Sequence, residues 1–319
     1  MFAPGGDDTD EFLTRLAWLY FVGGLTQAEV AAQLGITRLR VNRGLAAARA
    51  RGLARVELDS PFAAALDLQA QLVARFGLRD ALIGIAARHR YEPYAAVGAA
   101  LAAFLDAGLA RGLWQSIGVA WGRTVETAVH TLRPRSLPDL EVVSMVGCTM
   151  LGRSFNSFGV AANLAGRLGA RHSILAAPIY VETQALAEAV LASTPFADHL
   201  RKVRAVDVAI LVTGDLTGKS YLMRDGLPPP LTPDDLAARG AVGDVLGQFL
   251  DRDGRLIDHP INARVMGLPV AALRGMRHVV LAAAGEHKVE VMLANLRAGH
   301  VHTLISDDVT ATQLLEAAG

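Results

Sequence analysis

SIGVAWGRTVETAVHTL, residues 116–132, holds the unit from which most of the chain is built. Residues 116–120 are a short apolar run of strand length. Trp121 and Gly122 interrupt it, and a helical pattern follows over 123–132. The same alternation extends from Gly77 to the C-terminus. It predicts strands at 81–85, 116–120, 140–146, 172–176, 206–212, 278–283 and 301–305. A helix is read over 63–76 ahead of it, and the alternation predicts helices at 94–111, 123–132, 156–169, 182–192, 234–238, 242–249, 286–298 and 308–317. Strands alternating with helices imply an α/β fold with a mainly parallel, helix-covered sheet. Ligands of such sheets bind beyond the carboxyl ends of the strands, so the residues after each strand are the candidate contacts.

Three of these loops carry suitable chemistry. After residue 120 come Gly122, Arg123 and Thr124. Glycine allows close backbone approach, the helix start offers free N–H groups, and Arg and Thr add donors, which suits a phosphate or polyol. After residue 146 come Gly147, Cys148 and Thr149, with Arg153 and Asn156 close behind. After residue 283, a glycine loop opens a helix, and Lys288 stands one turn in, where it would neutralise an anion. A plain strand-to-helix turn is the competing reading of each. Ser306, Asp307 and Asp308 read as a helix cap.

The front of the chain differs. Residues 11–22 have helical spacing and end at Gly23 and Gly24. Thr26 with Glu29 forms a capping box that starts a second helix, and Gly35 stops it. Thr37 caps a third helix, on which Arg38, Arg40, Asn42 and Arg43 are expected to face outward and Leu39, Val41 and Leu45 to pack. Two short helices around a glycine turn are the helix-turn-helix pattern, whose second helix enters the major groove. Arginine pairs with guanine and asparagine with adenine, so Arg38, Arg40, Asn42 and Arg43, with Thr26, Gln27 and Thr37 beside them, are the candidate DNA contacts. Arg49 and Arg51 suit phosphates, and residues 52–58 read as a short strand or wing. A helical hairpin with a solvated arginine face is the structural alternative.

Charge follows this division. The formal net charge is zero, yet residues 14–58 carry seven arginines against two acids, while 59–319 carry 24 basic against 25 acidic residues. Positive charge is concentrated where phosphates would meet it. The boundary is placed at Asp59-Ser60-Pro61, giving domains 1–58 and 59–319. Cys148 is the single cysteine, which excludes an intrachain disulfide and a cysteine-rich zinc site. No apolar run reaches the ~18 residues of a membrane span, and the acidic N-terminus does not read as a secretory signal, so a cytoplasmic protein without a membrane partner is expected. Residues 214–220 are one residue short of a P-loop and read instead as a loop over the pocket. His300 and His302 share a strand face but lack a third ligand with obvious spacing. No nucleophile elbow or dinucleotide fingerprint is present, and no cofactor or metal is expected.

The pattern resembles the SorC family of sugar-binding transcriptional regulators, grouped with DeoR-type repressors. Its carriers are Ala17-Trp18-Leu19-Tyr20 with residues 25–58, IGVAWGRTV (117–125), LGARHSILAAPIYV (168–181), GAVGDVLGQFLDRDGRLID (240–258) and HKVEVMLANLRAGHVHTLISDDVTATQLL (287–315). The resemblance spans essentially the whole chain. It implies a helix-turn-helix head on a Rossmann-like effector domain related in fold to sugar-phosphate isomerases. It also implies double-stranded operator DNA and a sugar-phosphate or sugar-alcohol effector as partners, and a homotetramer. Matched by motif, the phosphate loop is Gly122, Arg123 and Thr124; the second loop is Gly147 and Cys148 with Asn156. The acid is Asp244, the base of the last loop is Lys288, and Arg224 matches a further basic contact. The family often has Gly-Gly in the second loop. Cys148 would narrow that space, which keeps a free polyol such as a tetritol open beside a phosphorylated sugar. The alternatives are a sugar-phosphate isomerase-like enzyme with Asp215, Asp244 or Glu286 as base, and a DNA-binding scaffold without a small ligand.

Overall fold

The computed structural model describes residues 9–55, 60, 62–87, 89–149 and 157–319. The chain divides into two compact units, Met1–Ser60 and Pro61–Gly319.

The first unit is three helices, α1 (Asp10–Phe21), α2 (Gln27–Leu34) and α3 (Arg38–Ala50). Thr26 Oγ1 accepts from the Glu29 N–H (3.3 Å) and the Glu29 carboxylate accepts from the Thr26 N–H (2.8 Å), so the start of α2 is capped reciprocally. Gly35 ends α2 at φ 66°, a left-handed conformation that favours glycine. Thr37 Oγ1 accepts from the Arg40 N–H and starts α3. Leu13, Leu16, Val30, Val41, Leu45 and Ala48 form the core. Leu39, expected to pack, is 59 % exposed. Residues 52–55 form a turn rather than the start of a strand, and 56–58 lie outside the described residues.

The second unit is built on a seven-stranded sheet. Its strands are β1 (Asp80–Gly84), β2 (Ser116–Val119), β3 (Glu141–Ser144), β4 (Arg171–Ser173), β5 (Val208–Leu211), β9 (Val279–Ala282) and β10 (Thr303–Asp307). The order is β1-β10-β9-β5-β2-β3-β4, with every pairing parallel. Successive residues serve opposite cores: Ala209 and Leu211 face one, Val208 and Ile210 the other. A sheet buried on both faces is why these strands read as unbroken apolar runs such as VAIL and VVLA. One face is covered by α5 (Pro93–Ala110), α6 (Arg123–Thr131) and α7 (Ser157–Leu168). The other is covered by α4 (Ala63–Phe76), α9 (Thr194–Ala205), α11 (Val289–Arg297) and α12 (Asp308–Ala318). A short α8 (Gln184–Ala192) and α10 (Pro233–Ala238) complete the set. Contrary to the sequence reading, α5 is long and apolar enough to cross a membrane. In this fold its Val97, Leu101 and Leu105 are buried in the core that α6 and the sheet share.

A second correction concerns residues 242–249, expected as a helix. They form a hairpin of β7 (Gly243–Val245) and β8 (Gln248–Leu250), extended by β6 (Thr213–Gly214) into a three-stranded antiparallel sheet. Its two turn residues, Leu246 and Gly247, have φ of 53° and 75°. Two positive φ values match the twist of a tight hairpin and are incompatible with an α-helix. Helix α9 and the 3₁₀ turns at Pro260–Arg264 and Val270–Gly275 were not foreseen.

Gly98 lets α5 lie directly on α6, since a Cβ there would come within 2.6 Å of the Thr127 side chain. Replacement by valine overpacks this contact. Gly98→Val is expected to lower stability by roughly 1–3 kcal/mol in urea unfolding. An unchanged midpoint would show that α6 is not held in place by this approach.

Candidate functional site

Strand order determines where the site lies. From β2 the chain steps outward through β3 and β4, and from β5 it steps the other way through β9 to β10, which lies beside the first strand, β1. The crevice between the carboxyl ends of β2 and β5 is therefore the topological switch point. A cavity of about 100 Å³ opens there, lined by Trp121 to Thr124 after β2 and by Val212 to Gly214 after β5. One water requires only roughly 10–15 Å³ on that measure, so a small organic ligand fits.

Gly122 is the N-cap of α6 with φ 155° and ψ 169°, a backbone region reserved for glycine. No side chain caps this helix, so its first N–H groups and positive dipole end are presented to the cavity. Two cations stand beside it. The Arg123 guanidinium lies 5.6 Å, and Lys288 Nζ 5.4 Å, from the centre of the Tyr94 ring. Each cation is attracted to the ring face. Lys288 is buried, and its side chain makes no hydrogen bond or ion pair among the described residues. Burial lowers its pKa, against the pull of the Asp215 and Asp244 carboxylates.

Asp244 enters from the hairpin. Its Oδ2 accepts the Gly247 N–H (3.1 Å), so the turn holds the carboxylate in place. Oδ1 lies only 2.3 Å from where a Cβ on Gly214 would be, so that neighbour must be glycine. Burial raises the Asp244 pKa to about 6, with the Gly247 bond and Lys288 opposing and Asp215 reinforcing the rise. Beside it, the buried Asp215 accepts from Thr217 Oγ1 (2.7 Å), and its other oxygen has no partner among the described residues. His287 Nε2 is 4.0 Å from Asp215, and burial lowers the His287 pKa.

The structure thus brings Gly122, Arg123, Thr124, Asp244 and Lys288 to one cavity, with Arg224 at its border. Gly147 and Cys148 are not among the lining residues. The Gly147 carbonyl instead accepts from Trp121 Nε1 (3.1 Å), and a Cβ at 147 would press on two carbonyl oxygens at 2.6 Å. Cys148 is buried, with Sγ 3.6 Å from the Ala177 carbonyl, and burial raises its pKa. Arg153 and Asn156 lie outside the described residues. Lys219 and Ser220, from the 214–220 loop expected over the pocket, line the cavity, as do Tyr94 and Tyr221, which were not singled out. Tyr94 follows β1 and was within reach of the rule applied to the other strands. In the first unit, Arg38, Arg40, Asn42 and Arg43 are exposed on α3, Gln27 is half-buried, and the Thr26 and Thr37 hydroxyls cap helices.

Residues 60–316 match the Sugar-bind family model, described as "Putative sugar-binding domain". The chain belongs to this family and is a transcriptional regulator of SorC/DeoR type. It is 27 % identical over 309 residues to the erythritol catabolism regulatory protein EryD of Brucella abortus, covering 97 % of this chain and 98 % of EryD. It is 29 % identical over 323 residues to the transcriptional regulator LsrR of Escherichia coli K12, covering 97 % and 95 %. The full-length sorbitol operon regulator SorC of Klebsiella pneumoniae superposes with a TM-score of 0.70 at 26 % identity, over 97 % of this chain and all of SorC.

The raised Asp244 pKa has a consequence for stability. Between an ordinary value of 3.8 and about 6, the folded protein keeps a proton that the unfolded chain has lost. The associated stability is full below pH 3.8 and is lost as pH rises through 6. The ionised form therefore costs on the order of 3 kcal/mol at neutral pH. Asp244→Asn, whose amide oxygen still accepts from Gly247, is expected to melt above wild type at pH 7.5 and level with it at pH 4. Equal melting temperatures at both pH values would mean that Asp244 is not ionised at a cost.

Proposed function

We propose that this regulator binds double-stranded operator DNA through α3 and senses a small carbohydrate, as a sugar, sugar alcohol or sugar phosphate, in the crevice beyond β2 and β5. The observation that carries the effector half is the buried Lys288 ammonium without a hydrogen-bond or ion-pair partner among the described residues. A desolvated cation gains most from an incoming anion or ring of hydroxyls. Gly122, Arg123 and Thr124 supply further donors, and Asp244 supplies an acceptor for hydroxyl groups. Gly147 and Cys148 support the pocket from behind Trp121 in this reading. The names of EryD and SorC, which refer to erythritol and sorbitol, favour a polyol or its phosphate.

The DNA half rests on α3. Arg38, Asn42 and Arg43 project from a helix without an acidic residue, and the capped turn Thr26–Thr37 holds that helix against its partner. One head carries few cations, and DNA affinity grows with the number of phosphates neutralised. Several heads acting together, as in a homotetramer on a palindromic operator, supply the remainder. Effector binding then shifts an equilibrium between two arrangements of subunits by its differential affinity for them. This protein acts in the cytoplasm, on DNA, without catalysing a reaction of its effector.

Two variants separate the halves. Arg43→Ala is expected to weaken binding to the DNA upstream of the gene by about tenfold or more in a low-salt mobility shift, with the thermal shift given by sugars, polyols and their phosphates unchanged. Lys288→Met is expected to keep DNA binding and lose the thermal shift. Failure of the wild type to bind that DNA, with or without these compounds, would sink the DNA half. Turnover of a tetrose or pentose phosphate, abolished in Asp244→Asn, would replace the effector half with an enzyme.

A further inference from the structure

Leu39 is the second residue of α3 and is 59 % exposed, although the head it belongs to has a closed apolar core. Each helical residue turns roughly 100° about the axis. On that spacing Val41, Gly44, Leu45 and Ala48, all buried, define the inner face, and Leu39 lies on the side opposite them. Arg38, Asn42, Arg43 and Ala46 are exposed around it. Arg40 stands at the flank, with its guanidinium 5.6 Å from the centre of the Phe12 ring of α1. The outward centre of this helix is thus apolar, and its surroundings are cationic or amide-bearing, with no acid on the helix. That charge complements a polyanion. The one apolar group that a DNA major groove displays on its base edges is the thymine 5-methyl, which is read by apolar contact.

We propose that Leu39 is a specificity-determining residue that packs on a thymine methyl, while Arg40, held at the flank by Phe12, serves a phosphate. This rests on the DNA-binding reading above. The N-terminal residues of such a helix are the ones that reach base edges, which places Leu39 at a base rather than at the sugar-phosphate backbone. Its side chain is not part of the head's apolar core among the described residues, and alanine is the better helix former.

The test starts with full-length wild-type protein and a random-sequence DNA pool, from which a preferred site is enriched. Each thymine of that site is then replaced singly by deoxyuridine, which removes the methyl and nothing else. Wild type is expected to lose about fourfold in affinity at one thymine per half-site, the scale of one buried methyl. Leu39→Ala is expected to bind the thymine and deoxyuridine probes equally and to enrich sites without preference at that position, with its other preferred positions retained. If Leu39→Ala still distinguishes the two probes as wild type does, or wild type is indifferent to deoxyuridine everywhere, the proposal is overturned. A uniform loss on all sequences also overturns it and makes Leu39 a contact between heads. If wild type enriches no sequence, the DNA-binding reading itself fails, and the proposal with it.

Discussion

A buried carboxylate and a buried ammonium share the crevice at the switch point, and the surrounding structure is arranged around that constraint. Charges removed from water are costly unless matched by other charges, hydrogen bonds or polarisable groups. Here the matching is incomplete. Asp244 has the Gly247 N–H and Lys288 has the Tyr94 ring, but the two are not joined in an ion pair. The deficit is offset by apolar cores on both faces of the sheet, which reach the crevice at Val146, Ile179 and Tyr221. Ligand hydroxyls or a phosphate would complete what the protein leaves unmatched. A site that is electrostatically unfinished in the free protein is well suited to bind, because each new contact recovers a cost already present in the fold.

The glycines near the crevice follow from the same constraint. Gly214 leaves room for the Asp244 carboxylate, Gly122 allows the chain to turn from β2 into an uncapped helix, and Gly247 with Leu246 closes the turn that fixes Asp244. Leu246 takes a left-handed conformation without being glycine and lines the cavity, so some backbone strain is placed where the ligand would sit. The packed rows on either side of the sheet hold that geometry.

Legibility from sequence varied with what each element had to satisfy. The inner strands β2, β3, β5, β9 and β10 were legible because burial on both faces makes them short, apolar and punctuated. The capped helices of the head were legible because Thr26, Glu29, Gly35 and Thr37 act locally. The hairpin around Asp244 was not. Val242, Val245, Leu246 and Phe249 recur at helical spacing, and most of residues 241–250 are buried, so no alternation of polar and apolar residues marked the strands. Asp244 was still selected through the family resemblance, with the wrong element around it. Tyr94 went unnoticed because aromatic residues at a helix start look like packing, and its use as a shared platform for two cations depends on Arg123 and Lys288 arriving from distant parts of the chain.

The distinction between a sensor and an enzyme turns on what the buried acids are free to do. A general base must reach a substrate proton and give it up again at working pH. Asp244 has one oxygen on the Gly247 N–H and the other enclosed near Gly214, and Asp215 has one oxygen on Thr217. Their hydrogen bonds come from the protein's own turns, which hold them as acceptors in the crevice. Fixed acceptors opposite fixed donors read the pattern of hydroxyls on a ligand. That arrangement suits recognition of a ligand, and the sheet and the position of the crevice would serve a sensor or an enzyme alike.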